Sequence, residues 1–142
     1  MKTPVTINKE FSWQVRVYYE DSDAAGVVYH SKYLNFMERA RTEWLRQVGY
    51  AQTNLADEEG IVFVVSDLNI KYLKPSYFDE LLDVNSRVIG VDGAKLKFEQ
   101  SIVNSSNELI CQANVNIVCV DSKSFKPKRL PNSIKVKFDH AN

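Results

Sequence analysis

The chain has 142 residues, of which 44% are hydrophobic and 25% are charged, and its 18 basic and 18 acidic residues give a formal net charge of zero. This composition predicts one globular domain over residues 1–142 and excludes disordered and collagen-like proteins. It also excludes a dedicated nucleic-acid-binding protein, because such proteins need a basic excess to displace counterions from phosphate. We therefore expect no nucleic-acid partner.

Hydropathy and cysteine positions indicate the compartment. Residues 1–13 lack the apolar core of a signal peptide, and the longest uninterrupted apolar run, residues 61–65, is far too short for a transmembrane segment. Cys111 and Cys119 fall in one predicted strand, about 26 Å apart at the usual rise per residue, so they cannot pair with each other. The sequence predicts a cytoplasmic protein with two buried, reduced thiols.

A strand and a long helix open the predicted fold. Alternating side chains predict a strand over residues 13–20, and the acids, alanines and glycine of residues 21–26 predict a loop. Apolar residues at steps of three and four then predict a helix over residues 32–48. Ser31 is its predicted N-cap, and Gly49 is its predicted stop.

Strand-like segments fill the rest of the chain after a short helical piece near residues 52–59. They cover residues 61–73, 81–91, 94–104 and 109–120. Tight turns between consecutive strands predict an antiparallel meander, and the whole pattern predicts an α+β fold with one helix packed on one sheet face. Strands this long leave an edge or a face to bury, which favours oligomerisation.

The loop before the long helix holds the densest set of reactive side chains: Tyr19, Glu20, Asp21, Asp23, Tyr29 and His30. A carboxylate beside the unpaired N–H groups of a helix N-terminus is suited to acyl transfer. Other interpretations stay open. Asp21 and Asp23 are also typical turn or cap residues, and His30 is also a typical helix-start residue bonded to backbone. These three side chains lack a recognised metal-ligand spacing, so no metal site is expected.

The C-terminal region is locally basic. Residues 121–137 contain six basic residues and a single acid. One interpretation is a solvated surface, and the other is a small anion site that could accept a nucleotide phosphate.

Three longer segments carry a family resemblance. Residues 16–33 read R-V-Y-Y-E-D-S-D-A-A-G-V-V-Y-H-S-K-Y and resemble the signature of the 4-hydroxybenzoyl-CoA thioesterase family, except that Ser22 stands where Thr or Cys is usual. The segments F-M-E-R-A-R-T-E-W-L-R and K-P-K-R-L-P resemble its Tol–Pal-associated acyl-CoA thioesterase branch. The resemblance implies a hotdog fold, in which a curved antiparallel sheet wraps a long central helix. It also implies thioester hydrolysis without a cofactor.

The resemblance also implies roles for individual residues. The Asp23 carboxylate attacks the thioester carbonyl or activates a water, while His30 polarises the thioester or orients that water. A backbone N–H near Tyr29 or His30 is the oxyanion donor. Oxyanion and substrate contacts fall on Gly26, Val27, Tyr29, Tyr33 and, from a neighbouring subunit, Val64, Val65 and Ser66.

Partners follow from the same resemblance. The substrate is an acyl-CoA, and its phosphates are assigned to Lys126, Lys128 and Arg129. The site lies between subunits, so a dimer at least, and a tetramer by extension, is expected. The alternatives are a non-catalytic partner of acyl carrier protein or of a lipid-synthesis complex, and a hotdog hydratase or dehydratase. The last needs an H-F-P-type motif that this sequence lacks.

Overall fold

A five-stranded antiparallel sheet and one long helix form the fold in the computed structural model, which describes residues 10–139. The elements are β1 (Glu10–Arg16), α1 (Lys32–Gln47), α2 (Gln52–Asn54, continued by one wide turn at Leu55–Glu59), β2 (Ile61–Tyr72), β3 (Leu81–Asp92), β4 (Lys95–Val103), β5 (Leu109–Asp121) and α3 (Asn132–Asp139). The strand order across the sheet is β1-β3-β4-β5-β2. The predicted α+β class is confirmed.

The core lies between α1 and one face of the sheet. Alternate residues of β4 (Leu96, Phe98, Gln100 and Ile102) are buried, as the period of two in a strand requires. The apolar stripe of α1 packs over β1 and β3, and the Trp44 ring meets Phe98 and Phe138 edge-on at centroid distances of 6.0 and 5.4 Å. The helix therefore covers mainly the β1 side of the sheet.

The first strand is shorter than predicted at its C-terminal end. It ends at Arg16, and Tyr19–Asp21 form a 3₁₀ turn instead of more strand. The cause is Asp21, whose Oδ2 accepts a hydrogen bond from the Tyr18 N–H at 2.8 Å and bends the chain early. The alternating side chains of residues 17–20 predict a strand, but this local hydrogen bond between a side chain and the backbone favours a turn.

The N-cap of α1 differs from the prediction, whereas its C-terminal stop agrees with the prediction. Ser31 is not a side-chain cap, since it lies in helical conformation and its hydroxyl makes no capping bond. The predicted stop is confirmed: Gly49 has φ of +109° and its N–H donates to the Arg46 carbonyl at 3.0 Å. Lys137 Nζ adds a bond to the Val48 carbonyl at 2.5 Å, which satisfies an otherwise unpaired helix C-terminus.

The predicted meander holds only for β3, β4 and β5. β2 does not join β3, because β1 already occupies that edge of β3 in a register running from Glu10–Arg87 to Arg16–Leu81. The chain crosses over instead, and β2 pairs antiparallel with β5 at the opposite edge. The predicted position of β2 in the sheet is therefore wrong, although the predicted boundaries of β2 to β5 agree within two residues.

Two further features concern the end of the chain and the thiols. The basic segment ends in α3, a helix absent from the prediction, whose Ile134 and Phe138 are buried against the core. Cys111 and Cys119 are both buried and free on β5, as predicted. Within residues 10–139, no helix is long and apolar enough to cross a membrane.

Candidate active site

The segment between β1 and α1 folds as a small hairpin with its tip at residues 23–27. Its base is closed by the Tyr29 N–H donating to the Asp21 carbonyl at 2.8 Å. Nearer the tip, the Asp23 N–H donates to the Val27 carbonyl at 2.9 Å, and the Gly26 N–H donates to the Asp23 carbonyl at 3.0 Å. This ladder fixes the position of Asp23 relative to the start of α1.

The two loop aspartates have different environments. Asp21 is 5% exposed, and its carboxylate accepts a hydrogen bond from the Tyr18 N–H. This bond stabilises the turn. Asp23 is exposed, and its Oδ1 accepts a bond from the Ala25 N–H at 2.8 Å, which fixes the side chain in an Asx-type turn. Across residues 10–139, no three His, Cys, Asp or Glu side chains are placed to hold a metal ion. Of the two loop aspartates, Asp23 is thus the one whose carboxylate faces solvent.

Gly26 is required by backbone conformation. Its φ is +84°, and a Cβ added there would meet nothing within 4 Å. The glycine therefore serves the turn itself, since other residues rarely adopt this φ. The open space around it leaves the tip accessible, while the next residue, Val27, is half-buried and bridges to Tyr77.

Two backbone N–H groups near the start of α1, those of Tyr29 and His30, are the predicted oxyanion donors. The Tyr29 N–H is already bonded to the Asp21 carbonyl, so it is not free to hold an oxyanion. The Tyr29 carbonyl accepts the Lys32 N–H at 2.8 Å, which closes a turn with His30 and Ser31 in its middle. Middle residues of such a turn do not use their N–H groups within it. Of the two predicted oxyanion donors, the Tyr29 N–H is thus bonded within the loop and the His30 N–H is not bonded within this turn.

The His30 side chain is exposed and flanked by aromatic rings. Its ring lies 4.4 Å from the Tyr29 ring and 6.1 Å from the Tyr72 ring, between centroids. The Tyr72 hydroxyl donates to the His30 carbonyl at 3.0 Å, which ties the end of β2 to the helix start. Tyr72 gave no signal in the sequence, because only the antiparallel pairing of β2 with β5 brings it here.

Tyr33 supports the loop from beneath. It is 3% exposed, and its hydroxyl donates to Ser76 Oγ at 3.1 Å and accepts the Ser76 N–H at 3.2 Å. The Ser76 carbonyl in turn accepts the Val28 N–H at 2.9 Å. Burial raises the pKa of Tyr33, so the phenol stays protonated as this network needs. This network joins Tyr33 to the loop backbone, and the predicted substrate contact of Tyr33 stays a prediction.

The other predicted substrate contacts lie elsewhere on β2. Val65 is 50% exposed, and the pairing with β5 shifts register between Val65 and Asp67, which makes Ser66 a bulge. Its hydroxyl donates to the Asn116 carbonyl at 3.2 Å. Val64 precedes Tyr72 by eight strand residues, or about 26 Å. One chain therefore does not bring these residues to Asp23.

The predicted phosphate ligands are also remote within one chain. Lys126, Lys128 and Arg129 are exposed just beyond β5, and Lys128 Nζ donates to the Glu59 carbonyl at 3.3 Å. Glu59 lies two residues before the start of β2, so this basic segment lies at the end of β2 opposite to Tyr72 and His30.

A long helix packed on a five-stranded antiparallel sheet is the arrangement of a hotdog fold, and the loop that enters the helix carries an exposed carboxylate. The chain belongs to the thioesterase-like superfamily, whose family model matches residues 17–138. The probable thioesterase of Bartonella henselae superposes with a TM-score of 0.82 at 38% identity, covering 86% of this chain and 99% of that one. A 1,4-dihydroxy-2-naphthoyl-CoA thioesterase from Synechocystis shares the fold with a TM-score of 0.85 at 22% identity, covering 92% and 96%. The predicted hotdog fold is confirmed.

Three curated relatives match most of the chain. Acyl-CoA thioester hydrolase YbgC of Escherichia coli O6:H1 is 45% identical over 128 residues, 90% of this chain and 95% of that protein. Acyl-CoA thioesterase YbgC of Haemophilus influenzae is 43% identical over 134 residues, 94% and 98% of the two chains. An acyl-acyl carrier protein thioesterase of Arabidopsis thaliana is 32% identical over 132 residues, 92% of this chain and 67% of that one.

Proposed function

We propose that the chain hydrolyses acyl-CoA thioesters to a free acid and CoA, with the Asp23 carboxylate as the reacting group. The observation that carries this proposal is the position of Asp23, exposed at a hairpin tip whose base leads into α1. The names of the Escherichia coli and Haemophilus influenzae relatives support the substrate class.

The chemistry needs few groups because a thioester is already activated. Asp23 adds to the thioester carbonyl carbon, or takes a proton from a water that adds there. The His30 N–H, with the dipole of α1 behind it, stabilises the negative charge on the carbonyl oxygen. Collapse of the tetrahedral intermediate breaks the C–S bond, and the CoA thiolate leaves and takes up a proton. If Asp23 attacks directly, water then hydrolyses the acyl–aspartate anhydride.

The site is proposed to form between two copies of the chain, which accounts for the remote positions of Val64, Val65 and Ser66. β2 is an edge strand with exposed backbone and side chains. Its centre falls between Ser66 and Asp67, so antiparallel pairing with the β2 of a second copy sets Ile61 of one beside Tyr72 of the other. The first half of one β2 then lies next to the Asp23 loop of the second copy.

The same pairing accounts for the basic segment. Lys126, Lys128 and Arg129 lie near the start of β2, so in the pair they approach the Asp23 loop of the other copy. Exposed cations there suit the phosphates of CoA, which stay in solvent while the thioester enters the site.

The test is the release of CoA thiol from a panel of acetyl, butyryl, hexanoyl, palmitoyl and benzoyl esters. Asp23→Asn should lower kcat roughly a thousandfold or more, since the reacting group is lost. Glu20→Gln, at a neighbouring exposed acid, is the matched control and should keep wild-type rates. Gel filtration and circular dichroism check folding. Wild-type rates for Asp23→Asn on every ester contradict the proposal.

Carrier-protein thioesters are the second candidate substrates, because the Arabidopsis thaliana relative is an acyl-acyl carrier protein thioesterase. The basic segment suits docking of an acidic carrier. Acyl carrier protein esters therefore belong in the same panel. The tetramer, the Tol–Pal association, the single domain over residues 1–142 and the cytoplasmic location stay predictions.

A further inference from the structure

A cavity lies between α1 and the part of the sheet that α1 leaves uncovered. Its volume is about 110 Å³, and it opens to solvent. Its apolar walls come from three strands and from helices α1 and α3. The wall residues are Phe63 and Val65 of β2, Leu96 and Phe98 of β4, Ile117 of β5, Leu45 of α1 and Phe138 of α3. Phe63 and Val65 lie in the first half of β2, which the proposed pairing sets beside the Asp23 loop of the second copy. In the proposed pair, the β2 wall of the cavity therefore lies beside the reaction site of the second copy.

One cation stands in the wall of this cavity. Arg41 is half-buried, and its Nη1 donates to Gln100 Oε1 at 2.8 Å. Gln100 is itself fully engaged, because its Nε2 donates to the Met37 carbonyl at 3.0 Å and to Ser86 Oγ at 2.8 Å. Among residues 10–139, no carboxylate lies within 4.0 Å of the Arg41 guanidinium.

Most N–H groups of the Arg41 guanidinium have no protein acceptor among residues 10–139. Burial lowers the pKa of Arg41 to about 10, so the guanidinium stays charged at neutral pH. A guanidinium has five N–H donors, and the structure uses one of them on a neutral amide oxygen. The charge of Glu38 offsets part of this desolvation, but Glu38 forms no ion pair with Arg41 within 4.0 Å among the described residues, so a further acceptor at the guanidinium is stabilising.

We propose that Arg41 is a specificity residue that selects acyl groups carrying an oxygen acceptor, a ketone or a carboxylate, on the acyl tail. This inference rests on the proposed two-copy thioesterase site. The apolar walls accept the methylene groups, and the guanidinium donates to the acceptor at the buried end. An unsubstituted alkyl tail leaves these donors unpaired, so it binds less well.

A second charge distinguishes the two acceptors. Glu38 lies one helical turn before Arg41, lines the same cavity and is exposed, with its Oε2 accepting the Thr42 hydroxyl at 2.9 Å. Its negative charge opposes a tail carboxylate more than a neutral ketone. A ketone is therefore the better acceptor for the wild-type protein, and Glu38→Gln should improve the carboxylate.

The experiment compares kcat/KM for length-matched esters: butyryl, 3-oxobutyryl and succinyl-CoA, and hexanoyl, 5-oxohexanoyl and adipyl-CoA. In at least one series, the wild-type protein should prefer the oxo ester over the alkyl ester. Arg41→Met should lower the oxo-to-alkyl ratio roughly 10- to 100-fold, the loss expected for one charge-assisted hydrogen bond. Arg41→Lys, which keeps a charged donor, should recover part of the ratio.

The outcomes separate this inference from the proposed function. If Asp23→Asn is inactive but Arg41→Met leaves every ratio unchanged, Arg41 is structural and the inference is overturned alone. Loss of all activities in equal proportion, with a lowered melting temperature or a changed oligomeric state, overturns it in the same way. Activity that persists in Asp23→Asn overturns the proposed function instead.

Discussion

Asp21 and Asp23 are the same residue type two positions apart, but the surrounding backbone places their carboxylates in different environments. Asp21 is buried under the turn it caps, whereas Asp23 is held by one neighbouring N–H and otherwise faces outward. The sequence could rank Asp23 first only through the family signature. The physical reason, that the Tyr18 N–H captures Asp21, depends on where β1 ends and could not be read from the pattern.

Between the two acids, Ser22 offers a test of how the loop is stabilised. Its Oγ is buried and has no hydrogen-bond partner. Ser22→Ala removes an unsatisfied polar atom, so we expect unchanged stability or a gain of up to about 1 kcal/mol in the free energy of unfolding. Urea denaturation measures the change.

Ser76→Ala is the matched control for that serine. The Ser76 hydroxyl is bonded to Tyr33, and its loss should cost about 1–2 kcal/mol because the buried phenol is left without an acceptor. A loss at Ser22 equal to the loss at Ser76 contradicts the account of the loop.

At the scale of elements, periodicity located α1 and the four later strands but not their neighbours in the sheet. Boundaries of β2 to β5 agree within two residues because alternating burial is written into each strand. The position of β2 beside β5 depends on competition for the edge of β3, which no local pattern records. Helix α3 was missed because a basic surface masks its two buried residues, Ile134 and Phe138.

Helix α3 is expected to be essential for the core despite its eight residues. The Phe138 side chain is 2% exposed and packs against Trp44 and Phe98. Phe138→Ala should lower the free energy of unfolding by about 3–5 kcal/mol, the usual cost of a large core truncation. Val136→Ala, on the exposed side of the same helix, should change it by less than about 0.5 kcal/mol. Equal effects at both positions mean that α3 is not docked as described.

At the scale of the whole molecule, the candidate site could be predicted from the sequence only in part. The signature identified Asp23, Gly26 and His30, and the hairpin brings them to one loop. Val64 and Lys128 are separated from that loop by most of the length of β2, so their predicted roles depend on a second copy. A pattern along one chain cannot specify which surfaces meet between two.

The edge of β2 gives the corresponding prediction. Leu68 is 39% exposed on this strand, and Leu68→Lys places a charge where the second copy is proposed to pair. We expect the dissociation constant of the dimer to rise at least tenfold, about 1.4 kcal/mol, with loss of hydrolysis at concentrations where the variant is monomeric. Light scattering after gel filtration measures the mass. Val136→Lys is the control, and a dimeric, fully active Leu68→Lys protein contradicts the two-copy site.

The two cysteines of β5 have a consequence for an enzyme of this kind. Burial raises the pKa of Cys111 to about 12 and that of Cys119 to about 11, so both thiols stay protonated at neutral pH. Each turnover of the proposed reaction frees the thiol of CoA, and under oxidising stress this thiol forms a disulfide. An exposed protein thiolate attacks such a disulfide and gives a mixed disulfide, with one CoA thiolate released. With its own sulfurs enclosed and protonated, the protein resists forming mixed disulfides with its product.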